Sequence, residues 1–287
     1  MSIRPPIAII MAVYCGDSHV EFRKALQSVF LQTYPAELTN VYLGVDGPVS
    51  SEIEEVIAAY QPHLFQVHQN SIRIGLAETL NGLIQLLSNE VYVFRMDADD
   101  ISRPDRFEKQ VQFMLQHPDI DVLGTDLREV DSLGNVLTVR NYPRGTSEIE
   151  KYICKGSPVA HPTVCFRRTF FDRFGSYPRQ FRTSQDIALW FRAVSRGARI
   201  TNLPQELYEL KVDRALYRRR SIAKAWNEFR IYVDGIRKIH GLTWRYVYPL
   251  SRLFFRLLPL PLIELFYRGS WRRVLLNERS DSSSRRL

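Results

Sequence analysis

The 287-residue sequence has only three cysteines and lacks the short motifs that mark common zinc and nucleotide sites. Cys15, Cys154 and Cys165 show no C-x-x-C spacing, which argues against a zinc site or a disulfide framework. Their number favours a reducing compartment, with inert and buried thiols. There is no P-loop, and no G-x-G-x-x-G follows the first predicted strand. A dehydrogenase-type dinucleotide fold is therefore disfavoured.

Long hydrophobic segments are also absent. The stretch richest in leucine and phenylalanine, residues 253–267, is too short to span a bilayer of about 30 Å. It is also interrupted by charged residues and prolines, namely Arg256, Pro259, Pro261 and Glu264. The first residues enter a predicted strand directly, so we expect no secretory signal. With 45% hydrophobic residues the chain can still bury a full core, which predicts one large globular domain with an appendage.

Charge is unevenly distributed along the chain. Residues 214–287 hold seventeen Lys or Arg against five Asp or Glu, a net of +12, whereas residues 1–213 carry −4. We therefore predict a main domain over 1–213 and a basic, aromatic and helical extension over 214–287. The polar residues 280–287 are predicted to be disordered.

Apolar runs and helical patterns alternate through the first hundred residues. The pattern predicts strands at 7–14, 41–45, 65–68 and 91–96, and amphipathic helices at 20–31, 52–60 and 76–87. This order is typical of a doubly wound α/β sheet, in which ligands bind beyond the carboxyl ends of the strands. Tyr14, Asp46 and Asp97 stand at three of those ends.

The fourth predicted strand ends in three carboxylates, Asp97, Asp99 and Asp100. Like charges this close raise one another's pKa unless a cation neutralises them, so packing gives no reason to place them together. Sites built only from oxygen ligands suit Mg²⁺ or Mn²⁺. The alternative is a solvated loop in which Asp100 or Ser102 caps a helix that begins near Pro104.

Downstream, the sequence predicts further strands at 122–125 and 135–139. His161 lies in a proline-flanked loop before another apolar strand, a place where a histidine is usually structural. An amphipathic helix follows Asp186 and is capped by Gly197. Asp186 can be explained there as a helix N-terminal acid favoured by the macrodipole.

Six segments in this order resemble the family 2 inverting glycosyltransferases with a GT-A fold. They are residues 11–14, 28–35, 45–47, 75–81, 96–107 and 185–190. The resemblance spans roughly residues 7–210. It implies a nucleotide-diphosphate-sugar donor, above all a UDP-sugar, a divalent metal (Mn or Mg), and a single displacement that inverts the anomeric centre. A metal bridging the two phosphates would stabilise the charge of the leaving group.

The resemblance also implies roles on the donor side. Asp99 would ligate the metal directly, and Asp97 would assist the metal or hold the ribose. Asp46 would accept a hydrogen bond from the base. Arg73 would meet the diphosphate, although a solvent-facing loop arginine explains it equally well. The remaining donor contacts would come from Val13, Tyr14, Asn81 and Ala98.

On the acceptor side, Asp186 occupies the family's base position, from which a carboxylate takes the proton of the acceptor hydroxyl. The chain has Gln185 before it where the family usually has Glu, which leaves the base in place and removes a neighbouring charge. His161, Gln185 and Trp190 would line the acceptor side.

The extension interleaves basic and aromatic residues with leucines, which fits an interfacial element on an anionic leaflet. A nucleic-acid surface and an oligomer interface are the competing interpretations, and the leucine and phenylalanine content favours the membrane over nucleic acid. We expect a cytoplasmic enzyme, peripheral to the inner face of the membrane, that glycosylates a polyprenyl-diphosphate-linked acceptor in surface-polysaccharide biosynthesis. The alternative is a non-catalytic basic protein that binds membrane or nucleic acid on the same scaffold.

Overall fold

The computed structural model describes residues 4–181, 183–212 and 222–257. The strands are β1 (Ile7–Tyr14), β2 (Thr39–Asp46), β3 (Gln66–Gln69), β4 (Tyr92–Asp97), β5 (Ile101–Ser102), β6 (Val122–Val130), β7 (Val136–Arg140), β8 (Cys165–Arg167) and β9 (Ile200–Lys211). The helices are α1 (His19–Phe30), α2 (Ser51–Tyr60), α3 (Leu76–Leu86), α4 (Arg106–Gln116), α5 (Thr146–Tyr152), α6 (Thr169–Phe174), α7 (Gln185–Ser195), α8 (Ile222–His240) and α9 (Val247–Leu257).

The strands of the described residues form one mixed sheet in the order β3-β2-β1-β4-β8-β6-β9-β5, with β7 paired to β6. The first four neighbours run parallel, as the alternation of strands and helices predicts. In register, Tyr14 lies opposite Asp46, and Ala12 lies opposite Asp97. The doubly wound α/β prediction is therefore confirmed, and it brings the polar strand ends to one edge.

The second half of the sheet is antiparallel at β8 and contains two strands that the sequence patterns did not reveal. These are the short β5 and the long β9, which runs parallel to β6 and pairs with β5 on its other side. Pro204 interrupts the alternation within β9, and the register between β6 and β9 shifts near Thr125. A proline argues against a strand in a single sequence, whereas an irregular pairing accommodates it.

Apolar side chains fill both faces of the sheet. On β1, Ile7, Ile9 and Met11 pack into one core with α1, α2 and α4, whereas Ala8 and Ile10 pack into the other with α3, α6 and α7. A strand covered on both faces needs apolar residues at every position. This explains the continuous apolar run at the start of the sequence.

Helix α8 packs against α7 and contributes Ile231, Tyr232 and Ile236 to the second core. The rings of Tyr232 and Phe191 meet edge to face, with centroids 5.2 Å apart. The described part of the extension is thus continuous with the main core. The predicted boundary at residue 213 and the predicted disorder of 280–287 both lie outside the described residues.

The burial of the cysteines and the length of the helices also bear on the predictions. Cys154 and Cys165 are buried, but Cys15 is exposed, so the expectation of three buried thiols is wrong for Cys15. It lies just after β1, where the chain leaves the sheet for the surface. Among the described residues, no helix combines the length and the apolarity needed to cross a membrane.

Candidate active site

The acidic turn that follows β4 is the centre of the site. One carboxylate oxygen from each of Asp97, Asp99 and Asp100 lies within 4.8 Å of the others. Strand β9 supports the turn from one side. The Lys211 backbone N–H donates to Asp100 Oδ1 over 2.8 Å, and the Asp97 backbone N–H donates to the Tyr208 hydroxyl over 3.2 Å. The turn is therefore held in place by a strand more than a hundred residues away in sequence.

The pKa values of Asp99 and Asp100 are shifted within this turn. Burial, together with the charges of Asp97 and Asp99, raises the pKa of Asp100 well above its ordinary value. Burial and the Asp97 carboxylate also raise the pKa of Asp99, the most exposed of the three. Such a cluster favours a bound cation because a cation offsets both the burial and the mutual repulsion.

Helix capping does not explain these residues. Helix α4 begins at Arg106, and its N-cap residue is Asp105, whose side chain makes no capping hydrogen bond. Asp100 is bonded to β9, and Ser102 lies in β5, where its hydroxyl accepts from Gln32 over 3.3 Å. The alternative in which Asp100 or Ser102 caps this helix is therefore wrong.

Beside the acidic turn, Tyr14 and Arg73 form a flat surface. The guanidinium carbon of Arg73 lies 4.3 Å from the centroid of the Tyr14 ring, so the exposed side chain is stacked on an aromatic face. The approach of the Arg73 loop requires Gly47, whose φ is +84° and where a Cβ would lie 2.7 Å from the Arg73 nitrogen. The D-G turn after β2 therefore shapes this side of the cleft.

Asp46 is buried, and its carboxylate accepts hydrogen bonds from the backbone N–H groups of Ile74 (2.8 Å) and Gly75 (2.9 Å). It thus ties the end of β2 to the start of α3. The side chains of Val13 and Ala98 are buried as well, so any donor contact of theirs would come from the backbone. The contact between Asp46 and a base stays a prediction.

Both polar atoms of the Asn81 side chain are hydrogen-bonded within the protein. Its Nδ2 donates to the Tyr177 carbonyl over 2.9 Å, and its Oδ1 accepts from the Tyr177 N–H over 2.8 Å. The Tyr177 hydroxyl in turn lies 2.8 Å from His161 Nε2. Burial raises the pKa of that hydroxyl, the Arg95 charge opposes the shift, and the charges of Asp186 and Asp97 add to it. A donor contact by Asn81 stays a prediction.

The residues predicted to line the acceptor side lie in α7 or pack against it. Burial raises the pKa of Asp186, which stands in the first turn of the helix, and the Ile187 backbone N–H opposes that shift. The carboxylate is therefore also a helix N-terminal acid, and the two interpretations are compatible. Trp190 is fully buried and packs near His161, with centroids 6.4 Å apart. Gln185 is buried too, and an acceptor contact of the Trp190 or Gln185 side chain stays a prediction.

The site combines acids at a strand end, a tyrosine stacked against an arginine, and a carboxylate at the start of a helix. A comparison with protein families agrees with this arrangement. The model of the glycosyltransferase-like family 2 matches residues 5–230. The chain belongs to this family. The resemblance found in the sequence is thereby confirmed, and the protein is a glycosyltransferase.

Individual relatives support the same conclusion. The chain is 30% identical to the UDP-Gal:alpha-D-GlcNAc-diphosphoundecaprenol beta-1,3-galactosyltransferase of Escherichia coli, over 94% of this chain and 98% of the relative. It is also similar in structure to S. aureus TarS 1–349 in complex with UDP-GlcNAc, with a TM-score of 0.64 and 16% identity over 96% of this chain and 76% of that one.

A third protein, the mannosyltransferase PcManGT from Pyrobaculum calidifontis in complex with GDP-Man and Mn²⁺, gives the same TM-score of 0.64. The two proteins are 16% identical, and the match covers 95% of this chain and 81% of the mannosyltransferase chain. These structural likenesses establish the fold of the glycosyltransferase as GT-A. In this chain, the acidic turn fits a divalent cation because it offers three carboxylates and only oxygen donors.

The sequence reasoning overlooked Arg95, which lies within β4. Its side chain is 2% exposed and forms an ion pair with Asp97. Its charge adds to burial in lowering the pKa of His161 well below the ordinary value, and it favours the ionised form of Asp186. Arg95 could have been recognised in the sequence as a candidate site residue, because an arginine inside a buried apolar strand needs a partner for its charge.

Asp17 is a second residue that was overlooked. Its Oδ2 accepts from the Tyr14 backbone N–H over 3.0 Å. Burial, reinforced by the charges of Asp99 and Asp97, raises the pKa of Asp17 to about 6. The turn residues Gly16 and Asp17 look like an ordinary loop in the sequence, and only the fold places this fourth acid beside the acidic turn.

Proposed function

We propose that this glycosyltransferase moves a sugar from a UDP-sugar donor to a polyprenyl-diphosphate-linked glycan, in the biosynthesis of a cell-surface polysaccharide, with inversion of the anomeric centre. The observation that carries the proposal is the cluster of Asp97, Asp99 and Asp100 beside the Tyr14–Arg73 stack. The E. coli relative, named for a UDP-Gal donor and a diphosphoundecaprenol acceptor, supports both substrate classes.

In this proposal, each site residue has a separate role. Bound at the acidic turn, Mn²⁺ or Mg²⁺ would stabilise the charge that develops on the diphosphate leaving group. Asp99 is the most exposed of the three acids and is therefore best placed as the direct ligand, whereas Arg95 holds Asp97 in a fixed orientation. The Arg73 guanidinium, stacked on Tyr14, supplies a cation on the same side of the cleft.

Asp186 is the proposed general base. Burial raises its pKa, which makes it a better proton acceptor than an ordinary solvated carboxylate. As the acceptor hydroxyl attacks the anomeric carbon, Asp186 would take its proton while the bond to the diphosphate breaks. His161, with its pKa lowered by burial, would stay neutral beside Tyr177.

The extension is the proposed link to the membrane. A polyprenyl-linked acceptor is confined to the bilayer, so the enzyme would work on its cytoplasmic face as a peripheral protein. The net charge of +12 on residues 214–287 favours an anionic leaflet. The competing partner for the same residues is a second copy of the chain.

The proposal is tested with full-length protein, UDP-sugars, Mn²⁺ and a synthetic GlcNAc-diphosphate lipid. We expect transfer to need added metal after treatment with a chelator. Asp99→Asn should lose both transfer and UDP-sugar hydrolysis, whereas Asp186→Asn should keep metal-dependent donor binding and lose transfer. Asp105→Asn, a change at an exposed acid nearby in sequence, is the matched control and should behave as the parent.

Full activity in chelator-treated protein would remove the metal from the mechanism. Equal turnover in Asp186→Asn would remove Asp186 as the base.

A further inference from the structure

Helix α9 is amphipathic, but its apolar side faces away from the protein. Val247, Leu250 and Phe254, spaced three and four residues apart, are 50%, 54% and 61% exposed. Positions with this spacing share one face of a helix. A surface helix of a globular protein normally turns such a face toward the core. The orientation of α9 therefore needs an explanation.

The basic residues of α9, although partly exposed, lie on the side that contacts α8. Arg252 and Arg256 both pair with Glu228 of α8, at 3.0 Å and 2.8 Å. Arg252 also donates to the Lys155 carbonyl over 2.6 Å. These contacts fix the rotation of α9 on α8, because a half-turn rotation would break both ion pairs. They hold both arginines on the side of α9 that faces α8, away from Val247, Leu250 and Phe254.

The segment before α9 also exposes large apolar side chains. Leu242 is 97% exposed and Trp244 is 70% exposed, and the Trp244 ring lies 5.6 Å from that of Tyr248. We call Leu242, Trp244, Val247, Leu250 and Phe254 the apolar face. Exposed apolar patches of this kind mark interaction surfaces in soluble proteins.

We infer that the apolar face inserts into the interface of a phospholipid bilayer. Its composition of tryptophan, phenylalanine and leucine is the one that inserts at the boundary between headgroups and acyl chains. Lys and Arg exceed Asp and Glu in the surrounding extension, which complements anionic lipid. The inference rests on the proposed function only in that a polyprenyl-linked acceptor gives the enzyme a reason to dock.

The inference also sets the mode of binding. Since Arg252 and Arg256 share the Glu228 carboxylate on the side of α9 that contacts α8, insertion of apolar side chains contributes most of the attachment by α9, and charge contributes less. The attachment should therefore persist at high salt, where surface electrostatics are screened. Through the contact of Tyr232 with Phe191, the docked helices would be tied to α7, which carries Asp186.

The test is flotation of full-length protein with vesicles of phosphatidylcholine alone or mixed with phosphatidylglycerol, at low and high salt. The parent should float with both at high salt. The double variant Leu250→Ser/Phe254→Ser and the single variant Trp244→Ser should each bind about tenfold or more weakly there. Leu133→Ser, which changes an equally apolar residue that is 84% exposed in the β6–β7 turn, should bind as the parent.

Two further measurements complete the test. They are thermal unfolding and the hydrolysis of UDP-sugar in the absence of lipid. Both should be unchanged in the variants, which separates membrane binding from folding and from the site. Flotation that salt abolishes, or variants that bind as the parent, would overturn the inference. A defined dimer of the parent that the variants dissociate would assign the apolar face to a second copy. Absence of hydrolysis in the parent would overturn the proposed function and leave the flotation result standing.

Discussion

Arg95 is the side chain that connects the acidic turn with the start of α7. It is buried, pairs with Asp97 of the acidic turn and acts electrostatically on His161 and on Asp186 of α7. Its Nε and Nη1 atoms have no hydrogen-bond partner among the described residues. A guanidinium this poorly satisfied is costly, so we expect its role to lie in the site and not in stability alone.

Replacing Arg95 with Met should weaken Mn²⁺ binding and transfer together, because Asp97 loses the group that orients it. The fold should lose about 1–3 kcal/mol, which is less than for a fully buried pair since Asp97 is partly exposed. Isothermal titration with Mn²⁺ and urea unfolding measure the two effects. Arg199→Met breaks an exposed pair with Asp119 and should leave both nearly unchanged. Unaltered Mn²⁺ affinity in Arg95→Met would contradict this role.

The ionisation of Asp17 makes the stability of the protein depend on pH. Its pKa rises from 3.8 to about 6 on folding, so between these values the unfolded chain releases a proton that the folded chain keeps. The contribution of Asp17 to stability therefore falls as pH rises from about 4 to 6 and is constant above that range.

Asp17→Asn should accordingly gain stability over the parent across this range in chelator-treated protein, as measured by urea unfolding at several pH values. Added Mn²⁺ should shrink the difference, because a cation at the acidic turn favours the ionised carboxylate. A difference that does not change with pH would show that Asp17 ionises normally.

At the level of elements, the contact between α7 and α8 is unusually close. Gly235 lies directly against the Phe191 ring, and a Cβ added there would overlap that ring. Phe191 is itself buried, so it has little room to yield. A glycine in the middle of a helix is otherwise unfavourable, which indicates that packing determines this residue.

Gly235→Ala should therefore destabilise the protein by about 1–3 kcal/mol, although alanine favours the helix by about 1 kcal/mol. Adding Phe191→Leu should recover part of the loss by making room. Ser251→Ala on the outer side of α9 is the control and should change little. Thermal unfolding of the two single variants and the double variant decides the point, and a stabilised Gly235→Ala would show that the helices separate easily.

At the level of the whole molecule, α8 packs against the main core although it lies within the basic extension. Helix α8 places Ile231, Tyr232 and Ile236 in the core that also contains Trp190. Removal of residues 214–287 would expose this face of α7. Removal of 258–287 leaves every described helix and strand in place.

We therefore expect the chain ending at residue 257 to unfold cooperatively and to hydrolyse UDP-sugar, and the chain ending at residue 213 to aggregate or unfold at a lower temperature. Circular dichroism melts and gel filtration compare the two. If the chain ending at 213 is as stable as the parent, then 1–213 is an independent domain and the α7–α8 contact is dispensable.

Much of the fold follows from local patterns. The strands β1, β2 and β4, the helices between them and the acidic turn lie within one or two residues of their predicted positions. A strand buried on both faces is apolar throughout, and a helix with one buried face has a period near 3.6. These properties can be recognised in a single sequence because they depend on neighbouring residues only.

The amino-acid sequence by itself determined the alternating α/β order, the three acids at a strand end and the basic character of the extension. Tertiary structure alone decided that β9 supports the acidic turn, that Asn81 is bonded to Tyr177, and that the arginines of α9 pair with Glu228. Each of these contacts joins residues far apart in the chain. Their pairing depends on which strands and helices become neighbours, and no local period encodes that choice.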